Sequence, residues 1–209
     1  MNWDSSMPGI DATCRYVLAV TGASGAPFAN ALIRRMALEP AVAEIILLST
    51  PTGRRCFLGE VGSSLDDRYR SIEKITMLDE NDLGAEISSG SARHGGMAVV
   101  PCSAGTLGRI ASGTSDNLII RAADVCLKER RPLVICVRES PLNRIHIENM
   151  LRAHDAGATI MPLAPTFYHR PKTIEDICDA FATRIMECLG LVQKDDRRWR
   201  GGANNRAGT

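Results

Sequence analysis

The sequence predicts an α/β protein built on a single doubly wound, mostly parallel sheet with a Rossmann-like flavoprotein outline. Three observations carry that prediction. Apolar β runs alternate with helical patterns from Arg15 to Ile185, two of the runs end in small, hydroxyl-rich turns that open helices, and no internal repeat or low-complexity block interrupts the series. With 209 residues, 44% of them hydrophobic, the chain can bury one sizeable core. The expected division is a flexible N-terminal extension over 1–14, one domain over 15–192 and a polar C-terminal tail over 193–209 in which Trp199 is the only apolar anchor.

Composition narrows the classes of partner. A formal net charge of +1 argues against a nucleic acid or a membrane surface as the main partner. No apolar stretch approaches the roughly 20 residues a bilayer requires, so a soluble, cytoplasmic protein is expected. The seven cysteines (Cys14, Cys56, Cys102, Cys126, Cys136, Cys178 and Cys188) contain no C-x-x-C and lie partly in apolar runs, which suits reduced thiols packed as small hydrophobes. The four histidines, His94, His146, His154 and His169, show no H-E-x-x-H spacing, so no metal is expected.

Taken in order, Arg15 to Thr21 is an apolar β run, followed at once by Thr21-Gly-Ala-Ser-Gly-Ala26 and a helix with Phe28, Leu32, Ile33 and Met36 at helical spacing. Small residues let the backbone approach a bound group, and the N–H groups of a helix start with the Ser24 hydroxyl favour an anion; a plain tight turn reads equally from the same residues. Only Gly22 and Gly25 are present, so the pattern is not G-x-G-x-x-G. The second run, Glu44 to Ser49, ends in Ser49-Thr50-Pro51 without the acidic residue that holds a dinucleotide ribose, which suits a mononucleotide better than NAD. Residues Arg54 to Leu58 read as a short helix, Ser63 to Tyr69 as a polar insertion and Lys74 to Leu78 as an edge strand. Glu60 reads from the residues alone as a solvated charge, and Ile87-Ser-Ser-Gly-Ser-Ala92 as a hydroxyl-rich loop or a linker.

Gly95 to Ser103 is the next buried strand, ending in Ser103-Ala-Gly-Thr106, a second anion-friendly edge on the side of the first. Asp116 is the expected N-cap of a helix through Leu118, Ile119, Ala122 and Val125, with Arg121 a surface charge. Next, Asp124, Lys128, Glu129, Arg130 and Arg131 crowd the helix end, Pro132 stops it, and Leu133 to Val137 forms a strand that delivers Arg138 and Glu139 to its carboxyl end. Lys128, Arg138 and Glu139 are expected to converge there on an anion and a proton, although the basic residues also fit an ordinary solvated helix end. Ser140-Pro141 reads as the N-cap and N1 of a helix with an apolar face through Ile145, Ile147 and Leu151. Thr159 to Met161 is a short strand, Ala164 to Pro171 a Pro-bounded loop, and Thr173 with Asp176 a capping box for a last helix carrying Ile177, Phe181, Arg184 and Ile185.

Thr21 to Ala26, Ser88-Ser-Gly-Ser91, Val100-Pro-Cys-Ser-Ala-Gly-Thr-Leu107, the block from Asn117 to Leu133 containing A-A-D-V-C-L-K-E-R-R-P-L, Val137-Arg-Glu-Ser-Pro141 and Pro165 to Pro171 resemble the flavin prenyltransferases of the UbiX type. The resemblance runs from about Tyr16 to Leu191 and leaves the tails outside. It implies that reduced FMN is alkylated by dimethylallyl phosphate at N5 and C6, without metal, to give prenylated FMN for a UbiD-type decarboxylase. It implies FMN contacts at Gly22, Ala23, Ser24, Ser49, Ser103, Ala104, Gly105, Thr106 and Arg138. Prenyl-phosphate contacts fall on Ser89, Lys128, Arg138, Glu139, Tyr168 and Arg184. Catalytic roles fall on Ser24, Glu139, Lys128 and, by a one-residue shift from the family position at Gly59, Glu60.

The chain departs from the family where Ser49-Thr50-Pro51 replaces a Ser-Lys pair. The resemblance also implies a homo-oligomer, typically a dodecamer, with active sites at subunit contacts. Two other classes remain open at this point. One is an FMN-dependent lyase like the cysteine decarboxylases, whose P-x-M-N-x-x-M-W clamp is missing here; the other is a flavin carrier or accessory subunit.

Overall fold

The structure is a computed structural model that describes residues 14–191. Six parallel strands run in the order β3-β2-β1-β4-β5-β6: β1 Cys14–Val20, β2 Val42–Ser49, β3 Ile75–Met77, β4 Met97–Cys102, β5 Leu133–Val137 and β6 Thr159–Ile160. The helices are α1 Ala26–Leu38, α2 Pro51–Val61, α3 Leu65–Tyr69, α4 Ala104–Ser112, α5 Leu118–Lys128, α6 Arg144–Asp155 and α7 Ile174–Cys188, with a 3-10 turn at Glu86–Ser88. The predicted mobile termini lie outside the described residues, except that Cys14, assigned to the extension from sequence, opens β1.

Period-two alternation splits the core. Tyr16, Leu18, Val20, Ile45, Leu47, Ala98 and Val100 point to one face, where they meet Leu32, Met36, Phe57, Tyr69 and Ile185 from α1, α2, α3 and α7. Val17, Ala19, Ile46, Leu48, Val99 and Ile135 point to the other, against Leu107, Ile119, Ala122 and Cys126 from α4 and α5. Both faces are covered, which is why the strands read as continuous apolar runs.

Local signals were misplaced in several places. The cap of α5 is Asn117, which accepts from the N–H of Ile120, and not Asp116. The helix α5 ends at Lys128, with Arg130 in the left-handed region at φ 55, ahead of Pro132. Ser140-Pro141 is a cis peptide that precedes α6, whose N-cap is Asn143 in a capping box with His146. The expected short helix at Arg54 runs the length of α2, and the polar insertion contains α3, capped by Ser64, with Leu65 and Tyr69 buried. Ile145, Ile147 and Leu151 are exposed, while Ala153 is the residue that α6 buries. The capping box of Thr173 with Asp176 and the edge strand β3 lie where the sequence puts them.

One buried group makes the fold sensitive to acid. His94 is 8% exposed, and burial first, with the cations of Arg131 and Arg15, pushes its pKa from 6.5 down to about 4, against opposing effects of Gly96 and Glu86. The unfolded chain therefore binds the proton more readily, so stability is lost as pH falls from 6.5 towards 4 and is unaffected by this group above that window. The loss should reach about 3 kcal/mol. Denaturant midpoints measured against pH should fall more steeply for the natural chain than for His94→Asn; parallel curves would contradict the assignment.

Candidate active site at the switch point

The strand order reverses between β1 and β4, and in doubly wound sheets that switch point, beyond the carboxyl ends of the strands, is where a ligand crevice lies. Two turns border it. Thr21 is buried, and its hydroxyl donates to the carbonyl of Pro101 at 2.9 Å while accepting from the N–H of Ser103 at 2.9 Å, so one side chain fixes the turn after β1 against the turn after β4. Sequence reasoning placed Thr21 in the motif but missed this bridge; no spacing rule announces it.

Ser103 caps α4, accepting from the N–H of Thr106 at 3.3 Å with the two hydroxyls 3.0 Å apart. A Cβ on Gly22 would meet Cγ2 of Thr52 at 2.6 Å, so glycine is required there by packing. A Cβ on Gly105 would meet nothing within 4 Å, leaving the backbone of Ser103 to Thr106 open to an approaching group. At the end of β2, Ser49 is 2% exposed and its hydroxyl lacks a hydrogen-bond partner within the chain. An unmatched hydroxyl after β2 and an open backbone turn after β4, on the same side of the sheet, fit a polar, flat ligand such as the FMN that the resemblance implies.

The helix start of α1 is not an open anion site. Glu60, from the last turn of α2, accepts from the N–H groups of Gly25 and Ala26, both at 2.8 Å, and so supplies the cap that α1 lacks locally. Gly25, at φ 120, adopts a conformation that a side chain would resist. Burial raises the pKa of Glu60, but hydrogen bonds from Gly25, Ser24 and Ala26 and the charge of Arg138 outweigh it and hold the carboxyl below its ordinary value. The structure thus brings Glu60, Ser24 and Arg138 together.

Arg138 and Glu139 follow β5 at the same edge, both exposed. The N–H of Arg138 donates to the carbonyl of Cys102 at 3.0 Å, and a carboxylate oxygen of Glu139 accepts from the N–H of Ser140 at 3.0 Å.

Lys128 and Ser89 are elsewhere. The helix α5 runs antiparallel to the strands and hands the chain to the start of β5, so Lys128 sits at the amino edge of the sheet. The five residues of β5 separate it from Arg138, roughly 16 Å of strand. The expected convergence of Lys128 with Arg138 and Glu139 therefore does not occur within one chain. Lys128 pairs with Glu129 and lies against Gly90. The loop carrying Ser89 is held by Arg121, which donates to the carbonyl of Ser88 at 2.9 Å, and by Arg131, which donates to the carbonyl of Gly90 at 2.7 Å. Arg121 and Arg131, read from sequence as surface or structural charges, are the clamps of that loop.

Tyr168 and Arg184 form a third group. They line a cavity of about 420 Å3 between the chain after β6 and α7, together with Thr166, His169, Thr183 and Glu187. Neither Ser89, Lys128, Arg138 nor Glu139 borders it. Among the described residues no group of three or more His, Cys, Asp and Glu side chains could hold a metal, and no helix is long and apolar enough to cross a membrane.

Comparison with known proteins places this geometry. Residues 5–195 match the family model described as Flavoprotein. A flavin prenyltransferase UbiX of Deinococcus radiodurans is 45% identical over 186 residues, covering 89% of this chain and 93% of that protein. The crystal structure of a dodecameric FMN-dependent UbiX-like decarboxylase from Escherichia coli O157:H7 superposes with a TM-score of 0.84 at 38% identity, covering 90% of this chain and 100% of that one. The structure of AnUbiX (PadA1) in complex with FMN and dimethylallyl pyrophosphate gives a TM-score of 0.82 at 39% identity, covering 90% and 98%.

Proposed function

The chain belongs to the flavoprotein family, among its UbiX-type flavin prenyltransferases, and from that premise we propose how its own residues divide the work. It joins the dimethylallyl group of dimethylallyl phosphate to reduced FMN, with no metal, and releases prenylated FMN and phosphate. The observation that carries this reading is the Ser24–Glu60–Arg138 group at the carboxyl ends of the strands, with the unmatched Ser49 hydroxyl ending β2 and the open turn at Gly105 following β4 on the same side of the sheet.

When bound there, reduced FMN supplies the nucleophile that displaces phosphate from C1 of the allylic chain. Gly22, Ala23, Ser24, Ser49 and the Ser103–Thr106 turn hold and orient the flavin. Ser24, hydrogen-bonded to the ionised Glu60, manages the proton at flavin N5. As the C1–O bond breaks, charge grows on the departing phosphate, so preplaced cations and hydroxyls stabilise the transition state more than the ground state. Lys128, Arg138, Arg184, Ser89 and the Tyr168 hydroxyl are assigned that task, and Glu139 holds or returns a proton to the leaving group.

These donors lie in separate places in one chain, so we assign the complete site to contacts between copies, with Lys128 and Ser89 reaching the flavin crevice of a neighbour. The exposed side chains of Leu142, Ile145, Ile147, Leu151, Phe167 and Ile174 supply apolar surface for such contacts. The assembly assigned to the chain is a dodecamer, as described for the Escherichia coli relative. All seven cysteines are free thiols, which supports action in the reducing cytoplasm.

The product is assigned to a UbiD-type decarboxylase. After anaerobic turnover, the protein-free filtrate should activate a flavin-free decarboxylase of that type, and filtrates lacking the prenyl donor should not. Equal activation by both would remove the hand-over from the scheme.

A further inference from the structure

The cavity lined by Tyr168 and Arg184 contains a charge that the transfer reaction does not call for. Glu187 lies one turn beyond Arg184 on α7, and its Oε2 accepts from Nη1 of Arg184 at 2.7 Å. The two side chains differ in freedom: that of Arg184 is 67% exposed and that of Glu187 only 18%. Cys178, Phe181, Ala182, Ile185 and Met186 pack α7 into the core, so the Glu187 backbone is fixed and its carboxylate faces the cavity. Hydrogen bonding to Glu187 is the first cause of the raised pKa of Arg184, to which Tyr168 also contributes.

An anion entering the cavity still finds donors, because a guanidinium carries five N–H groups and Glu187 engages one face of it. It also meets the carboxylate, and that repulsion grows with the charge of the headgroup. A monophosphate brings about two negative charges and a diphosphate about three, so the extra phosphate is opposed where a lone arginine would attract it. Size does not discriminate: about 420 Å3 accepts either headgroup.

Resting on the prenyl-transfer reading above, we propose that Glu187 is a positioning and specificity-determining residue: it orients Arg184 towards the donor phosphate and restricts the donor to a single phosphate group. The glutamine variant keeps a hydrogen-bond acceptor for Arg184 and removes the charge, and the aspartate variant keeps the charge.

The test is calorimetric titration of dimethylallyl monophosphate and diphosphate into the oligomer loaded with oxidised FMN, paired with kcat/KM for each donor under reducing conditions. For Glu187→Gln the ratio of the two affinities, and of the two kcat/KM values, should move towards the diphosphate by about tenfold, the effect of one charge across a partly solvated site. Glu187→Asp should retain the natural ratio. An unchanged ratio in Glu187→Gln, or an equal shift in Glu187→Asp, would overturn the inference while prenyl transfer by the natural chain stands. Absence of transfer from either donor by the natural chain would overturn both.

Discussion

Lys128→Met should slow prenyl transfer by about two to three orders of magnitude with FMN affinity unchanged. The ammonium lies at the amino edge of the sheet and the flavin crevice at the carboxyl edge, so within a chain the substitution touches nothing that holds the flavin. The same geometry makes a stronger demand. If Lys128 serves the crevice of a neighbour, subunits of Lys128→Met mixed with subunits of Ser24→Ala should regain activity, because some sites then draw both intact residues from different chains. Random exchange at equal concentrations would restore about a quarter of the sites. Mixed oligomers that remain as inactive as either parent would contradict a shared site.

The second large effect is expected at Glu60. Glu60→Ala removes both the acceptor for Gly25 and Ala26 and the carboxylate beside Ser24. Loss of the cap should cost about 1–2 kcal/mol, seen as a melting temperature lower by several degrees. The rate of prenylation should fall by about a hundredfold. Glu60→Gln separates the two roles, since its amide oxygen can still accept from the helix start but cannot take a proton at neutral pH; stability should return towards that of the natural chain while the rate stays low. Since the pKa of Glu60 is lowered in the folded chain, its stabilising contribution is present above the ordinary carboxylate pKa and is lost as pH falls through the lowered value. A full rate in Glu60→Ala would show that the shifted glutamate has no part in the chemistry.

What the sequence made legible were features written in local periodicity and turn chemistry: the parallel strands, the two small-residue turns and the last capping box. The caps of α5 and α6 were misplaced because Asp116 and Ser140 are as good cap formers as Asn117 and Asn143, and only the tertiary start of each helix chooses between them. The helix α3 hid in a polar stretch because Leu65 and Tyr69 are its only buried side chains.

For Lys128, Arg138 and Glu139 the sequence showed which charges flank β5 but not how far apart one chain holds them: β5 runs the depth of the sheet and puts Lys128 at its amino edge and Arg138 and Glu139 at its carboxyl edge. Glu60 illustrates the converse, since its role depends on a contact 35 residues away that no local pattern encodes. The apolar residues of α6 were legible as a helix face but not as an outward one, because periodicity shows that a face must be covered without showing by what.

The most direct test of prenyl transfer is mass spectrometry of the flavin released after anaerobic incubation of the protein with reduced FMN and dimethylallyl phosphate. A flavin heavier by one C5H8 unit is the predicted result. FMN recovered unmodified, although bound, under conditions where a UbiX-type enzyme turns over would contradict the account and leave the chain as a flavin-binding protein without transferase chemistry.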